Sequence, residues 1–121
     1  MFKEALEAIV AHTDGATGAL IMGTDGIAVE KVLGEEGTEA NLDVAAATFT
    51  TLVKSAQRMG GETGLGDLSE LVVSLKDAVV VMRLFSQDYF VVLGMKPDGN
   101  LGRGRYELRK AELQLAREFA L

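Results

Sequence analysis

From Glu70 to Met95 the chain reads as three strand-like runs with very little between them. The runs are Glu70 to Leu75, Ala78 to Phe85 and Tyr89 to Met95, broken by Lys76-Asp77 and Ser86-Gln87-Asp88. Breaks that short join antiparallel neighbours, because a parallel pair needs a crossover of about a dozen residues or more. Val72, Val73, Val79, Val80, Val81, Val91 and Val92 favour strand over helix, since β-branched side chains suit a pleated surface. Pro97-Asp98-Gly99-Asn100 then closes an antiparallel meander with turn residues.

A second strand pair precedes it. Ala16 to Gly23 and Ile27 to Leu33 are apolar runs around Thr24-Asp25-Gly26, and an Asp-Gly turn between apolar runs is a strong hairpin signal. The first run is apolar nearly throughout, which predicts a strand covered on both faces.

Three segments have helical period. Phe2, Ala5, Leu6, Ile9 and Val10 alternate with Lys3, Glu4 and Glu7, and this helix stops at Thr13-Asp14-Gly15. The second helix runs from Leu42 to Met59, capped by Asn41 or Thr38 and ended by Gly60-Gly61. Ala45, Ala46, Ala47, Thr48, Thr50, Thr51, Ser55 and Ala56 give it little bulk on more than one face. Val44, Phe49, Leu52, Val53 and Met59 are its expected anchors. The last helix runs from Gly104 to Phe119, with Leu108, Ala111, Leu115 and Phe119 as its apolar stripe. The order is α-β-β-α-β-β-β-α in one α/β (α+β) domain over residues 1–121, a length that suits a single core.

Composition removes several function classes. A net charge of −6 opposes nonspecific binding to nucleic acid or to an anionic membrane. No run reaches the roughly 20 apolar residues of a spanning helix, so no membrane insertion is expected. The acidic start Met1-Phe2-Lys3-Glu4-Ala5-Leu6-Glu7 is not a signal peptide. Cysteine is absent, which removes disulfides, thiol catalysis and Cys-based metal sites and suits a cytoplasmic protein.

Catalytic chemistry is thin. His12 is the one histidine and reads as an exposed helix-end imidazole beside the dipole. No Gly-x-Ser-x-Gly elbow accompanies it, and no metal or cofactor is expected. Gly60 to Asp67 lacks the Gly-Lys-Ser/Thr ending of a phosphate loop. Gly99 to Arg105 enters a helix with two arginines, so it can be read as an anion site or, more simply, as a flexible entry with solvated Arg103 and Arg105. Arg109, Lys110 and Arg117 also read as a solvated face, with local pairs such as Glu107 with Lys110. Met22, Met59, Met82 and Met95 read as core filler.

Two features ask for the same partner. If the meander pairs in order, Leu71, Val72, Val73, Ser74 and Leu75 form an apolar edge strand, which aggregates unless covered. A second copy across a two-fold axis covers it, and the small-residue helix then meets its mate through Val44, Ala47, Thr51 and Ser55. Proline at Val73 is expected to break that joined edge.

Gly15-Ala16-Thr17-Gly18-Ala19-Leu20-Ile21-Met22, Asp25-Gly26 with Ile27-Ala28-Val29, Val44-Ala45-Ala46-Ala47 and the meander from Leu71 to Gly94 resemble the roadblock/dynein light-chain domain family, and within it bacterial MglB-like proteins. The resemblance covers nearly the whole chain in element order, and its most specific part is the glycine-bounded hairpin. It implies a five-stranded antiparallel sheet with one helix on one face and two on the other. It also implies a homodimer with joined third strands and paired second helices. It implies a non-enzymatic regulator, a GTPase-activating protein or effector of a small Ras-like GTPase of the MglA type, bound through the paired helices. Helical phase carries that role to Thr48, Lys54 and Arg58, together with Thr51 and Ser55. Arg103 or Arg105 is the candidate for an arginine finger in trans. The longer tail of some MglB-like proteins is missing after Phe119. The other readings are a dimeric scaffold of a motor, polarity or signalling complex, and a sensor with a ligand pocket between sheet and helices.

Overall fold

The structure, a computed structural model, describes residues 2–34 and 39–119, without the side chains of 39–41 and 118–119. The second helix starts at Glu39 rather than Leu42, so Asn41 lies inside it and is not its cap, while the expected cap Thr38 and the side chain of the expected Phe119 anchor lie outside the described residues.

The elements are α1 (Phe2–His12), β1 (Ala16–Gly23), β2 (Ala28–Leu33), α2 (Glu39–Thr63), β3 (Glu70–Ser74), β4 (Val79–Leu84), β5 (Tyr89–Met95) and α3 (Leu101–Phe119). The strands form one antiparallel sheet in the order β2-β1-β5-β4-β3. Strand alternation divides the apolar residues into two cores. Ala19, Ile21, Val81, Val91 and Leu93 face α1 and α3, where they pack on Leu6, Ile9, Leu108, Ala111 and Leu115. Leu20, Met22, Val80, Met82, Phe90 and Val92 face α2, against Leu42, Ala46, Phe49 and Val53. β1 is buried on both faces, as its unbroken apolar run requires. Full burial of such a side chain stabilises by roughly 1.5–3 kcal/mol, so the two cores dominate the fold.

The hairpin closes through Gly23 N donating to Ile27 O at 2.9 Å, around the three residues Thr24, Asp25 and Gly26. Gly26 takes φ +90, and Asp25 Oδ1 accepts from Ile27 N at 3.0 Å. α3 begins at Leu101 rather than Gly104, because Asn100 Oδ1 caps it by accepting from Arg103 N at 3.0 Å.

Gly60-Gly61 does not end α2. The helix continues to Thr63 and stops where Gly64 takes φ +71. Gly60 is buried because the following loop crosses it. A Cβ there would run into the carbonyl oxygen of Gly66, whereas a Cβ on Gly61 meets nothing within 4 Å. The pair thus holds one packing glycine and one incidental glycine. Gly60→Ala is expected to destabilise by about 1–3 kcal/mol through the clash. Gly61→Ala is expected to stabilise by about 0.5–1 kcal/mol through helix propensity. Urea unfolding of the two single variants checks both signs.

Candidate functional site: the α2 face and the β3 edge

α2 buries Leu42, Ala46, Phe49, Val53 and Gly60, which share one side of the helix. The opposite side carries Val44, Ala47, Thr48, Thr51, Ser55 and Arg58, all exposed, with Lys54 on the flank. The expected anchors divide accordingly. Phe49 and Val53 are core, but Val44 is 67% exposed, Met59 55% and Leu52 39%. Met59 is therefore surface, not core filler, unlike Met22, Met82 and Met95. Lys31 Nζ reaches Asp43 Oδ1 at 3.1 Å and holds one flank of α2 over β2. The other flank, with Leu52 and Met59, is turned toward the β3 side of the sheet. Lys54 and Arg58 form no ion pair among the described residues.

α2 is the one helix on its face among the described residues, and it packs closest to β1. Leu68, Leu71, Val73 and Leu84 on the β3–β4 half remain only partly buried. The two sheet edges also differ. β2 carries a bulge, since Ile21 pairs with Glu30 and Met22 with Ala28, which leaves Val29 extra. Bulges and in-strand charges such as Glu30 and Lys31 blunt an edge. β3 keeps a regular register from Glu70 to Ser74 and carries no charge after Glu70.

Hydrogen bonding fixes which backbone groups that edge presents. Leu84 N donates to Ser69 O at 3.0 Å and Leu75 N to Ala78 O at 2.8 Å. With the register Leu71–Met82 and Val73–Val80, residues 69, 71, 73 and 75 bond inward to β4. Glu70, Val72 and Ser74 turn their N–H and C=O groups outward. The expectation for Val73 is thereby corrected: proline at Val73 breaks a bond inside the monomer, and Val72 is the residue on the open side.

The arginine expectations also change. Arg105 Nη2 lies 2.7 Å from Glu70 Oε2, and Arg83 bonds Glu112 Oε1 at 3.2 Å while standing 3.9 Å from Glu70 Oε1. Glu107, only 2% exposed, has Arg103 Nη2 2.9 Å from Oε2 and His12 Nδ1 3.2 Å from Oε1. The expected Glu107–Lys110 pair does not form, and His12 braces α1 against α3. Both α3-entry arginines rest against carboxylates while their side chains stay about half exposed. Sequence spacing alone could not reveal the Arg105 and His12 contacts, because tertiary packing brings Glu70 and Glu107 to them. A 530 Å³ cleft is lined by Gln57 of α2, Leu68, Ser69 and Leu84 at one end of the β3–β4 pair, and Glu112 of α3. No group of three or more potential metal ligands gathers among the described residues, and no described helix is long and apolar enough to cross a membrane.

The family model for the Roadblock/LC7 domain matches residues 2–93, from α1 through β5. The chain belongs to the Roadblock/LC7 family. Within it, MglC from Myxococcus xanthus is 35% identical, with 96% of this chain and 97% of that one covered at a TM-score of 0.71. The gliding protein MglB from Thermus thermophilus is 21% identical over 94% of this chain and 84% of that one, with a TM-score of 0.83. A Roadblock/LC7 domain from Streptomyces avermitilis is 16% identical over 98% and 96%, also at 0.83. The last two likenesses establish the shared fold, while the MglC identity reaches into the sequence. No curated protein matches this sequence.

In this roadblock domain Val73→Pro is expected to lower stability by about 1–3 kcal/mol, since it orphans a ladder acceptor on β4. Val72→Pro removes no ladder donor within one chain, so its cost to the isolated protomer is expected to stay within about 1 kcal/mol. Urea unfolding monitored by circular dichroism separates the two.

Proposed function

We propose that this chain is a homodimeric regulator of a small Ras-like GTPase of the MglA type. The carrying observation is that two surfaces on the same side of the sheet lie uncovered: the small-residue face of α2, whose Leu52–Met59 flank is turned toward β3, and the regular β3 edge, which carries no charge after Glu70. One two-fold axis covers both. The β3 strands join through the outward groups of Glu70, Val72 and Ser74, and α2 of each copy covers the partly buried Leu71 and Val73 of the other. Leu75, exposed just past the strand, closes the same seam. Val44, Ala47, Thr51 and Ser55 let the two helices approach closely.

The paired helices then present Thr48, Lys54 and Arg58 as the GTPase-facing rim. The acceleration of hydrolysis, in this reading, comes from the platform, which needs no donated side chain. A platform that binds one switch-loop arrangement more tightly shifts the GTPase toward it, and the GTPase's own groups then stabilise the transferring phosphoryl.

Two measurements test the reading. Static light scattering should find the parent chain dimeric and Val72→Pro monomeric with its circular dichroism spectrum intact; a dimeric Val72→Pro rejects edge pairing. GTP turnover by an MglA-type GTPase should rise on titration, with the GTP form bound in preference to the GDP form. The double substitution Lys54→Glu/Arg58→Glu should weaken that binding by about tenfold or more while leaving the dimer intact. Equal binding of both nucleotide forms without stimulation would make the protein a scaffold of a polarity complex.

A further inference from the structure

The outer face of α3 is unused by the reading above and lies across the sheet from α2. Leu108, Ala111 and Leu115 bury the inner side of α3 in the core. Gly102, Tyr106, Arg109, Lys110 and Leu113 lie opposite, along with Arg117 one turn further on. Tyr106 is 56% exposed and Leu113 62%, and they stand two turns apart on one line. Arg109 and Lys110 flank that line. Together with Gly102 and Arg105 these residues border a 590 Å³ groove.

The groove is held in shape. Arg105 is fixed to Glu70 across its wall, and the Arg103 guanidinium sits 5.4 Å from the centre of the Tyr106 ring. Its charge is also out of character. The chain carries −6 overall, yet five of its 12 Lys and Arg residues are Arg103, Arg105, Arg109, Lys110 and Arg117. Carboxylates engage Arg103 and Arg105. Arg109, Lys110 and Arg117 form no ion pair among the described residues.

We infer that this face docks an amphipathic helix of a partner protein, with an apolar stripe flanked by carboxylates. Charge complementarity and the two-turn apolar line select that occupant. A helix of such chemistry seats its apolar residues between Tyr106 and Leu113 and its acids on Arg109 and Lys110. A second copy placed face to face would oppose like charges. A membrane gains only about 1 kcal/mol from each cation near its surface, against a protein that is negative as a whole. Because the sheet separates the two faces, the same domain would hold this partner and an α2-bound partner together.

The full chain is titrated against a fluorescein-labelled peptide of about five helical turns, with leucines at i, i+3 and i+7 and glutamates on both flanks, by fluorescence anisotropy. A scrambled peptide of the same composition is the control. The ordered peptide should bind at least about tenfold more tightly than the scrambled one. Arg109→Glu/Lys110→Glu should weaken it by about tenfold or more, and Leu113→Ser by about fivefold or more. Lys54→Glu/Arg58→Glu, on the other face, should leave it unchanged, so failure here is distinct from failure of the GTPase reading. All substituted side chains are exposed, and unaltered circular dichroism confirms the fold. Equal binding of the scrambled peptide, or indifference to both α3 variants, overturns the inference. Co-sedimentation with phosphatidylserine/phosphatidylcholine vesicles in place of ordered-peptide binding overturns it in favour of a lipid surface.

Discussion

The pairing of β1 with β5 is the contact on which the rest of the molecule depends. These two strands occupy the inner half of the sheet, joining a hairpin from the first part of the chain to a meander from the second. Their register sets Ala19 beside Leu93 and Leu20 beside Val92, so each face of the joint is apolar. A slip of one residue would exchange the two faces and leave both helical layers without matching surfaces. The loops at one end reinforce the joint: Lys96 N donates to Gly15 O at 2.8 Å and Asn100 N to Asp14 O at 2.9 Å. The end of α1 and the start of α3 are thereby fixed together, and Glu107 is carried to His12. Two helices share one face because that joint brings their ends together.

The opposite face has no such partner for α2. A single helix cannot cover five strands, since its diameter with side chains spans only about two interstrand spacings. α2 lies over the β1 side, with Lys31 and Asp43 as a surface tie, and the β3–β4 half stays half open. The asymmetry is thus a consequence of helix count, not of a local defect in packing. It also explains why the outward side of α2 contains small residues where an ordinary surface helix would carry long charged ones. Lys54, Arg58 and Glu62 interrupt the neutral surface, and they sit toward the end of the helix nearest Gly60. A face that is neutral at its centre and charged at one end suits an assembly in which apolar contact holds copies together and charge orients a further partner.

The element order and the edge position of β3 were legible in the sequence, because they follow from short connections and hydrophobic period. The sheet with one helix opposite two came through the family resemblance. Most of the details that failed share one cause: they depend on neighbours distant in sequence. Gly60-Gly61 looks like a helix stop until the Gly66 loop is seen to cross it. Glu107 looks like one more acid on a solvated helix until His12 and Arg103 are seen to hold it. Met59 and Leu52 look like anchors because apolarity alone does not reveal which flank of a helix faces away from the core. The Val73 expectation failed for a different reason. Strand alternation separates Leu71 and Val73 from Glu70 and Ser74, but which backbone groups bond inward depends on where the hydrogen-bonded pairs fall, and composition carries no information about that.

A regulator built this way needs no titrating or nucleophilic group. If a GTPase holds its productive switch arrangement as a minor state, differential binding of about 2.7 kcal/mol raises that population by about a hundredfold while it remains minor. A few contacts at hydrogen-bonding or charge-pair strength supply such a difference, provided they are made to one arrangement and not to the other. Rigidity then matters more than reactivity. A platform that flexed to follow both arrangements would bind both and shift neither. The two helices of such a platform rest on Phe49 and Val53, which are set into the doubly buried sheet. In the proposed regulator the two packed cores seat α2 on the sheet, and a shape held in that way is what a population shift requires.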